Sequence, residues 1–130
     1  EFIKDGFEDD VIDKLRNELL EKMNATHINF FKNLEVTHST EKYLFVHAGI
    51  DPQKKLSEQT KKDYLWSRSS DFFHKDFKAE KKIIHGHTPE KVVINHPYRI
   101  NIDTGCYFSG KLTCVRLNDH NDDRFFINNL

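Results

Sequence analysis

Two short apolar runs in this chain each end in a histidine beside a glycine. The first is Tyr-Leu-Phe-Val-His-Ala-Gly at 43–49, and the second is Ile-Ile-His-Gly-His at 83–87. A buried strand allows the side chain at its tip little positional freedom, and an adjacent glycine lets the backbone turn sharply or approach a ligand. Because imidazole is the commonest metal ligand, two such tips predict a metal or phosphate site at the ends of a sheet.

Length and charge limit the possible classes of protein. A chain of 130 residues predicts a single domain over 1–130 with a modest core. It has 20 basic and 21 acidic side chains, without the basic excess of a nucleic-acid binder. We therefore expect no nucleic-acid partner. No apolar run has the length of a membrane span and no signal-peptide pattern opens the chain, so we expect no membrane partner. We expect a cytoplasmic location. Cys106 and Cys114 lack zinc-ligand spacing, and we expect free thiols.

Hydrophobic spacing predicts a mixed α/β fold that is rich in sheet after residue 43. Apolar residues at helical intervals predict an amphipathic helix over 9–23, and a second helix over 28–34 would bury Phe30 and Phe31 in a core. A further short helix is expected over 58–66. The strand predictions are 43–48, 82–86, 92–94, 99–102, 111–117 and 124–127, and the last four are expected to form a run of antiparallel strands.

The candidate site residues also have simpler interpretations. His47 and His87 could each be a hydrogen-bonded histidine at a strand end, and His85 is expected on the same side of the sheet as His87. Arg68 follows a helix that Trp66 is expected to anchor, and its planar guanidinium suits phosphate oxygens.

A two-metal hydrolytic centre additionally needs carboxylates. The chain contains no Asp-x-His, Gly-Asp-x-x-Asp-x-Gly or Gly-Asn-His. From the residues alone, the sequence therefore supplies half of such a site.

Four ordered motifs make the chain similar to a known family. Together they resemble the C-terminal half of calcineurin-like metallophosphoesterases, specifically the bacterial and phage type of serine/threonine phosphatase, and symmetrical dinucleoside tetraphosphatases carry similar motifs. The resemblance covers roughly 43–117, and its motifs are Phe-Val-His-Ala-Gly-Ile at 45–50, Leu-Trp-Ser-Arg at 65–68, His-Gly-His-Thr-Pro at 85–89, and Ile-Asp-Thr-Gly-Cys at 102–106 continuing to Gly-Lys-Leu-Thr at 110–113.

The resemblance implies a β-sandwich flanked by helices and a dinuclear centre of manganese, iron or zinc. It implies that His47 and His87 ligate one metal ion and that Arg68 is a catalytic residue that grips the substrate phosphate. His85 matches no usual ligand and is expected to support the site or the fold. Asp103 and Gly105 would belong to the turn that closes the rim of the site.

The family's other metal ligands belong to an N-terminal half that has no counterpart in this sequence. We therefore expect a portion of an intact parent enzyme, inactive in isolation, with one uncovered sheet edge that favours self-association. The expected substrates are phosphoproteins or phosphorylated small molecules. Three readings stay open, namely a serine/threonine phosphatase, a symmetrical dinucleoside tetraphosphatase, and a noncatalytic remnant that binds a partner or weakly binds a metal.

Overall fold

The computed structural model describes residues 9–118 and 123–129. The chain divides into two compact units, Glu1–Glu35 and Val36–Leu130. No helix in the described ranges is both long and apolar enough to cross a membrane. The single domain expected over 1–130 stays a prediction.

The described part of the first unit, residues 9–35, contains two helices, α1 (Asp9–Lys22) and α2 (Ala25–Lys32). Asn24 starts α2, because its side-chain oxygen accepts a hydrogen bond from the Thr26 N–H at 2.9 Å. Both predicted helices are therefore confirmed. The expected burial of Phe30 and Phe31 is wrong, since their side chains are 62% and 59% exposed and contact each other edge to face.

The second unit contains a five-stranded mixed sheet and a separate two-stranded sheet. The strand order of the larger sheet is β1-β2-β3-β5-β4, and β6 pairs with β7. The strands are β1 (His38–Ser39), β2 (Tyr43–Phe45), β3 (Lys82–His85), β4 (Ile94–Asn95), β5 (Arg99–Asn101), β6 (Lys111–Arg116) and β7 (Arg124–Asn129). These strands together with the helices confirm the α/β class.

The three inner strands run parallel. Leu44 pairs with Ile83 between β2 and β3, and Ile84 pairs with Ile100 between β3 and β5. The expected antiparallel run of the last four predicted strands is correct for β4–β5 and β6–β7, but β5 and β6 lie in different sheets. Parallel neighbours need a long connection, and the 46–81 segment between β2 and β3 is long enough to carry helices.

Both faces of the larger sheet are buried, which explains the nearly continuous apolar runs of β2 and β3. One face belongs to a cluster of Leu44, Val46, Ile50, Phe72, Phe77 and Ile83. On the other face, Tyr43, Ile84 and Ile100 are covered by residues that include Val115 and Phe125 of the β6–β7 sheet. The core of this unit therefore lies on both sides of β2, β3 and β5.

Three short α-helices and a 3-10 helix (Leu56–Glu58) lie among the described residues of the same unit. The three α-helices are α3 (Lys61–Trp66), α4 (Ser70–Phe73) and α5 (Cys106–Ser109). Gly105 precedes α5 with φ of 67°, a left-handed conformation that glycine adopts without steric cost. Cys106 lies on α5 and Cys114 on β6, and both are free thiols as expected.

Gly49 gives a test of this packing. A Cβ atom at this position would lie 2.6 Å from Phe72 Cε1, and the φ of Gly49 is +154°. Because the Phe72 ring is fully buried, we expect Gly49→Ala to lower the free energy of unfolding by about 2 kcal/mol in urea denaturation.

Gly86→Ala is the matched control, since the nearest atom to its added Cβ is Asp103 Cβ at 3.4 Å. We expect this variant to lose less than about 1 kcal/mol. Equal losses for the two variants would contradict the proposed clash at Phe72.

Candidate metal and phosphate site

Backbone pairing between β2 and β3 continues past the ends of both strands. The Val46 N–H donates to the Ile84 carbonyl at 3.0 Å, and the Gly86 N–H donates to the His47 carbonyl at 2.9 Å. The segments that carry the two histidines therefore leave the sheet at the same end, tied to each other by hydrogen bonds.

His47 and His87 converge in three dimensions. Nε2 of His47 lies 2.9 Å from Nδ1 of His87, and the ring centroids are 4.7 Å apart. His87 has a φ of 69°, a conformation uncommon for residues other than glycine, which turns the chain out of the strand direction at this residue. The two rings are at hydrogen-bond distance from each other, and the metal role of the two side chains stays a prediction.

Arg68 is placed beside this pair by the end of α3. The Ala48 N–H donates to the Tyr64 carbonyl at 2.8 Å, and the Ser67 hydroxyl donates to the Ile50 carbonyl at 2.9 Å. These bonds fasten α3 to the segment that follows β2. Nη2 of Arg68 consequently lies 3.4 Å from Nε2 of His87.

Trp66 contradicts one expectation about this helix. We expected its side chain to anchor α3, yet it is 66% exposed. Its ring lies 5.8 Å from the ring of His87 at an interplanar angle of 86°. Trp66 is therefore an exposed neighbour of the site, and its position was not predicted because the local sequence does not show what covers a side chain.

A capping box and an ion pair fix the start of α3. The Thr60 hydroxyl accepts a hydrogen bond from the Asp63 N–H, and the Asp63 carboxylate accepts one from the Thr60 N–H. Nζ of Lys54 also lies 2.9 Å from the same carboxylate. The hydrogen bond from Lys54, followed by those from Thr60, lowers the pKa of Asp63 to about 2. The Thr-x-x-Asp spacing at 60–63 is a signal for a helix start at 61 rather than at the expected 58.

The surroundings of His87 favour its neutral form. Partial burial is the largest cause that lowers its pKa, and the charges of His47 and Arg68 act in the same direction, opposed by Asp103. A neutral imidazole keeps one ring nitrogen with a free electron pair. The lowered pKa of His87 thus favours the form in which a histidine can bind a metal.

His85 has different contacts from His87, so the two do not form a metal clip. Its side chain is 2% exposed, its ring lies 4.9 Å from the ring of Phe72, and Nε2 lies 3.4 Å from Nη1 of Arg99. Burial, as the largest cause, lowers the pKa of His85 to about 4. The expected common side of the sheet is wrong, because the left-handed backbone at His87 interrupts the alternation of the strand.

Asp103 and Gly105 lie in the turn after β5, as expected for the rim. Oδ1 of Asp103 accepts a hydrogen bond from the Gly105 N–H, and its backbone carbonyl accepts one from the Glu90 N–H, each at 2.9 Å. This turn and the segment after His87 are therefore joined. Beside them is an open cavity of ≈ 370 Å³, and its lining includes Phe45, His47, Ile84, Asp103, Cys106 and Thr113.

The histidine pair fits one metal ion only in part. Nε2 of His47 and Nδ1 of His87 are 2.9 Å apart, a hydrogen-bond distance, whereas two nitrogens each about 2.1 Å from one tetrahedral ion lie about 3.4 Å apart. No group of three or more histidine, cysteine or acidic side chains in ranges 9–118 and 123–129 is arranged to hold a metal. The described residues thus offer two ligands for one ion and do not fit a dinuclear centre.

Comparison with known proteins gives partial matches to one type of enzyme. No family model matches the chain. A protein of Anoxybacillus flavithermus named bis(5'-nucleosyl)-tetraphosphatase PrpE [asymmetrical] is 33% identical over 88 residues, which cover 58% of this chain and 36% of that protein. Proteins of the same name from Bacillus mycoides and Oceanobacillus iheyensis are each 50% identical over 44 residues, or 32% of this chain and 17% of theirs.

The chain thus spans about a third of the length of the first relative and about a sixth of the other two. All three relatives are named as tetraphosphatases, so the predicted likeness to phosphatase-type hydrolases is confirmed at that coarse level. None of the three relatives is named as a serine/threonine phosphatase. All three are named as the asymmetrical rather than the symmetrical tetraphosphatase.

The pH dependence of protein stability tests whether Asp63 anchors the start of α3. Because the folded-state pKa of Asp63 is lowered from 3.8 to about 2, its stabilisation is complete above about pH 4 and is lost as the pH falls through 2. We expect Asp63→Asn to remove this part of the pH dependence when urea unfolding is measured between pH 6 and pH 2.

Asp76→Asn is the control, because the Asp76 side chain is 75% exposed and lies 3.6 Å from His74 in a solvent-accessible pair. We expect this control to keep the wild-type pH profile. An unchanged profile for Asp63→Asn would show that Asp63 does not anchor the helix.

Proposed function

We propose that this chain supplies part of a metal-dependent phosphoric-ester hydrolase that acts on dinucleoside tetraphosphates. The observation that carries the proposal is the convergence of His47, His87 and Arg68 at one end of the sheet. The names of the three relatives favour a dinucleoside tetraphosphate over a phosphoprotein. The serine/threonine phosphatase reading rests on the motif resemblance alone and takes second place.

In this proposal each residue of the site has one role. His47 and His87 hold one divalent ion, for which manganese, iron and zinc are the candidates, and a bound ion of this kind polarises a phosphoryl oxygen and acidifies bound water. Arg68 donates hydrogen bonds to phosphoryl oxygens, because its planar fork matches their geometry. The described residues do not complete a metal centre, so no hydrolytic step is assigned to this chain alone.

A noncatalytic role is the second candidate, and a specific observation favours it. Two imidazoles without a carboxylate among the described residues form a poor site for a hydrolytic metal. Under this reading the same cluster binds a phosphate-bearing ligand or a metal weakly and performs no chemistry. Metal binding and hydrolysis therefore have to be measured separately.

Metal binding is tested on the tag-free 130-residue chain by calorimetric titration with Mn²⁺ and with Zn²⁺. We expect weak binding of one ion, lost in His47→Ala and in His87→Ala because each removes one of two ligands. His74→Ala is the control, since the His74 side chain is 60% exposed and forms its ion pair with Asp76 rather than with a residue of the candidate site. If both His47→Ala and His87→Ala still bind the metal ion, these two histidines are not its ligands.

Hydrolysis is tested on the full-length product of the gene that encodes this sequence, with diadenosine tetraphosphate, a phosphoserine peptide and Mn²⁺. We expect turnover of the dinucleotide to AMP and ATP, as asymmetrical cleavage requires, and little or none by the 130-residue chain. Arg68→Ala should lower kcat/KM by about 100-fold, the usual effect of losing one donor to a developing anion.

Arg116→Ala is the matched control for this assay, because Arg116 lies on β6 outside the histidine cluster. Turnover of the peptide but not of the dinucleotide would establish the protein phosphatase instead. Absence of both activities in the full-length product would leave the noncatalytic reading.

A further inference from the structure

Trp66 is exposed, and the proposed function gives this side chain no role. It is the only tryptophan of the chain, it ends α3, and 66% of its surface is accessible. Its ring stands 5.8 Å from that of His87, so it lies at the edge of the candidate site. An exposed indole beside a polar cluster is typical of a surface that binds a flat or apolar group.

The surface around Trp66 is an open groove with an apolar floor and two cations. It has a volume of ≈ 630 Å³ and is lined by Lys61, Lys62, Leu65 and Trp66. Lys62 and Trp66 are four residues apart on α3, as are Lys61 and Leu65, so each lysine lies one turn from an apolar partner. No ion pair within the described ranges involves either lysine.

The only carboxylate within α3 is already occupied. Asp63 accepts hydrogen bonds from Thr60 and lies in an ion pair with Lys54. The groove therefore combines an aromatic face with uncompensated positive charge. That combination suits a ligand that has a flat ring and several negative charges.

We propose that Trp66 is the stacking platform for one nucleobase of the dinucleoside tetraphosphate, which makes it a specificity-determining residue. This inference rests on the proposed function. The base stacks on the indole and Leu65, while the polyphosphate extends over Arg68 towards the histidine pair. Lys61 and Lys62 neutralise part of the phosphate charge, and lysine ammonium groups also attract the face of a bound ring.

The geometry favours a nucleotide over a phosphopeptide. A phosphoserine side chain would engage Arg68 but has no aromatic ring to cover Trp66. A nucleotide satisfies both, because the ring and the phosphates are parts of one molecule and Trp66 and Arg68 both contact His87. Base stacking also tolerates different bases, so we expect only modest discrimination between adenine and guanine.

The single tryptophan makes the test direct. The fluorescence of the 130-residue chain is followed during titration with diadenosine tetraphosphate and, at equal ionic strength, with inorganic tripolyphosphate. We expect saturable quenching by the dinucleotide and no comparable quenching by tripolyphosphate, which carries charge but no ring. A phosphoserine peptide should likewise leave the emission unchanged.

Calorimetric titration with diadenosine tetraphosphate then compares variants that lack the indole. Trp66→Ala should weaken binding by about tenfold or more, the effect expected for one lost base stack, and Trp66→Phe should restore part of the affinity. Tyr107→Ala is the control, because Tyr107 is 88% exposed and its ring contacts Phe108 edge to face instead of a site residue. Circular dichroism verifies that each variant is folded.

Binding is measured without turnover, so the two proposals fail in different ways. Equal quenching by tripolyphosphate, or full affinity in folded Trp66→Ala, overturns the stacking platform. Quenching and its loss in the variant, combined with no hydrolysis by the full-length product, support the platform and overturn the proposed catalysis. Quenching by the phosphopeptide alone would overturn the choice of a nucleotide.

Discussion

The pairing of β2 with β3 is the interaction on which the candidate site depends. The two strands are parallel, so their ends meet at one edge, and the bond from Gly86 to the His47 carbonyl carries the pairing past the strands. A shift of one residue would reverse which face each side chain occupies. Burial of Leu44 and Ile83, paired neighbours in the same core cluster, opposes that shift and so holds the histidines together.

The position of Arg68, the third residue of the cluster, depends on α3. This helix is held by contacts other than the pairing of β2 with β3. Backbone and hydroxyl hydrogen bonds join it to Ala48 and Ile50 just after β2, while Lys54 and Thr60 hold its first turn. Side chains on such a fastened element are positioned more narrowly than those on a free loop. The positions of Arg68 and Trp66 relative to His87 therefore depend on the contacts of α3 with the segment after β2 and not on hydrogen bonds within the sheet.

The sequence predicts the convergence of His47 and His87 because an apolar run that ends at glycine is readable from residue order. The parallel register is not readable in this way, since alternation shows which residues are buried but not which strand lies alongside. The left-handed backbone of His87 depends on tertiary contacts, so His85 was wrongly expected on its side of the sheet.

Phe30 and Trp66 show a second limit of sequence-based prediction. Both are apolar and were expected to be covered, yet both are more than half exposed. Large apolar residues usually lie inside, but a substantial part of any protein surface is apolar. Residue type therefore predicts a tendency to be buried, and only the packed neighbours decide the outcome.

The positive charge of the cluster favours the binding of anions and disfavours the binding of metal cations. Among the described residues, no hydrogen bond or ion pair joins a carboxylate to His47, His87 or Arg68, and Oδ1 of Asp103 is bonded to the Gly105 N–H. A divalent ion held by the two imidazoles would be repelled by the nearby guanidinium, and the charge of Asp103, which acts on His87 without a hydrogen bond to it, would offset only part of that repulsion.

The same arrangement attracts phosphate oxygens, because the guanidinium and the lysines of the Trp66 groove act in one direction on an anion. Nucleotide binding by this part of the protein is therefore expected to exceed its metal binding. Strong metal affinity would require carboxylates beyond those that the described residues bring to the cluster, whereas stacking on Trp66 requires no such addition.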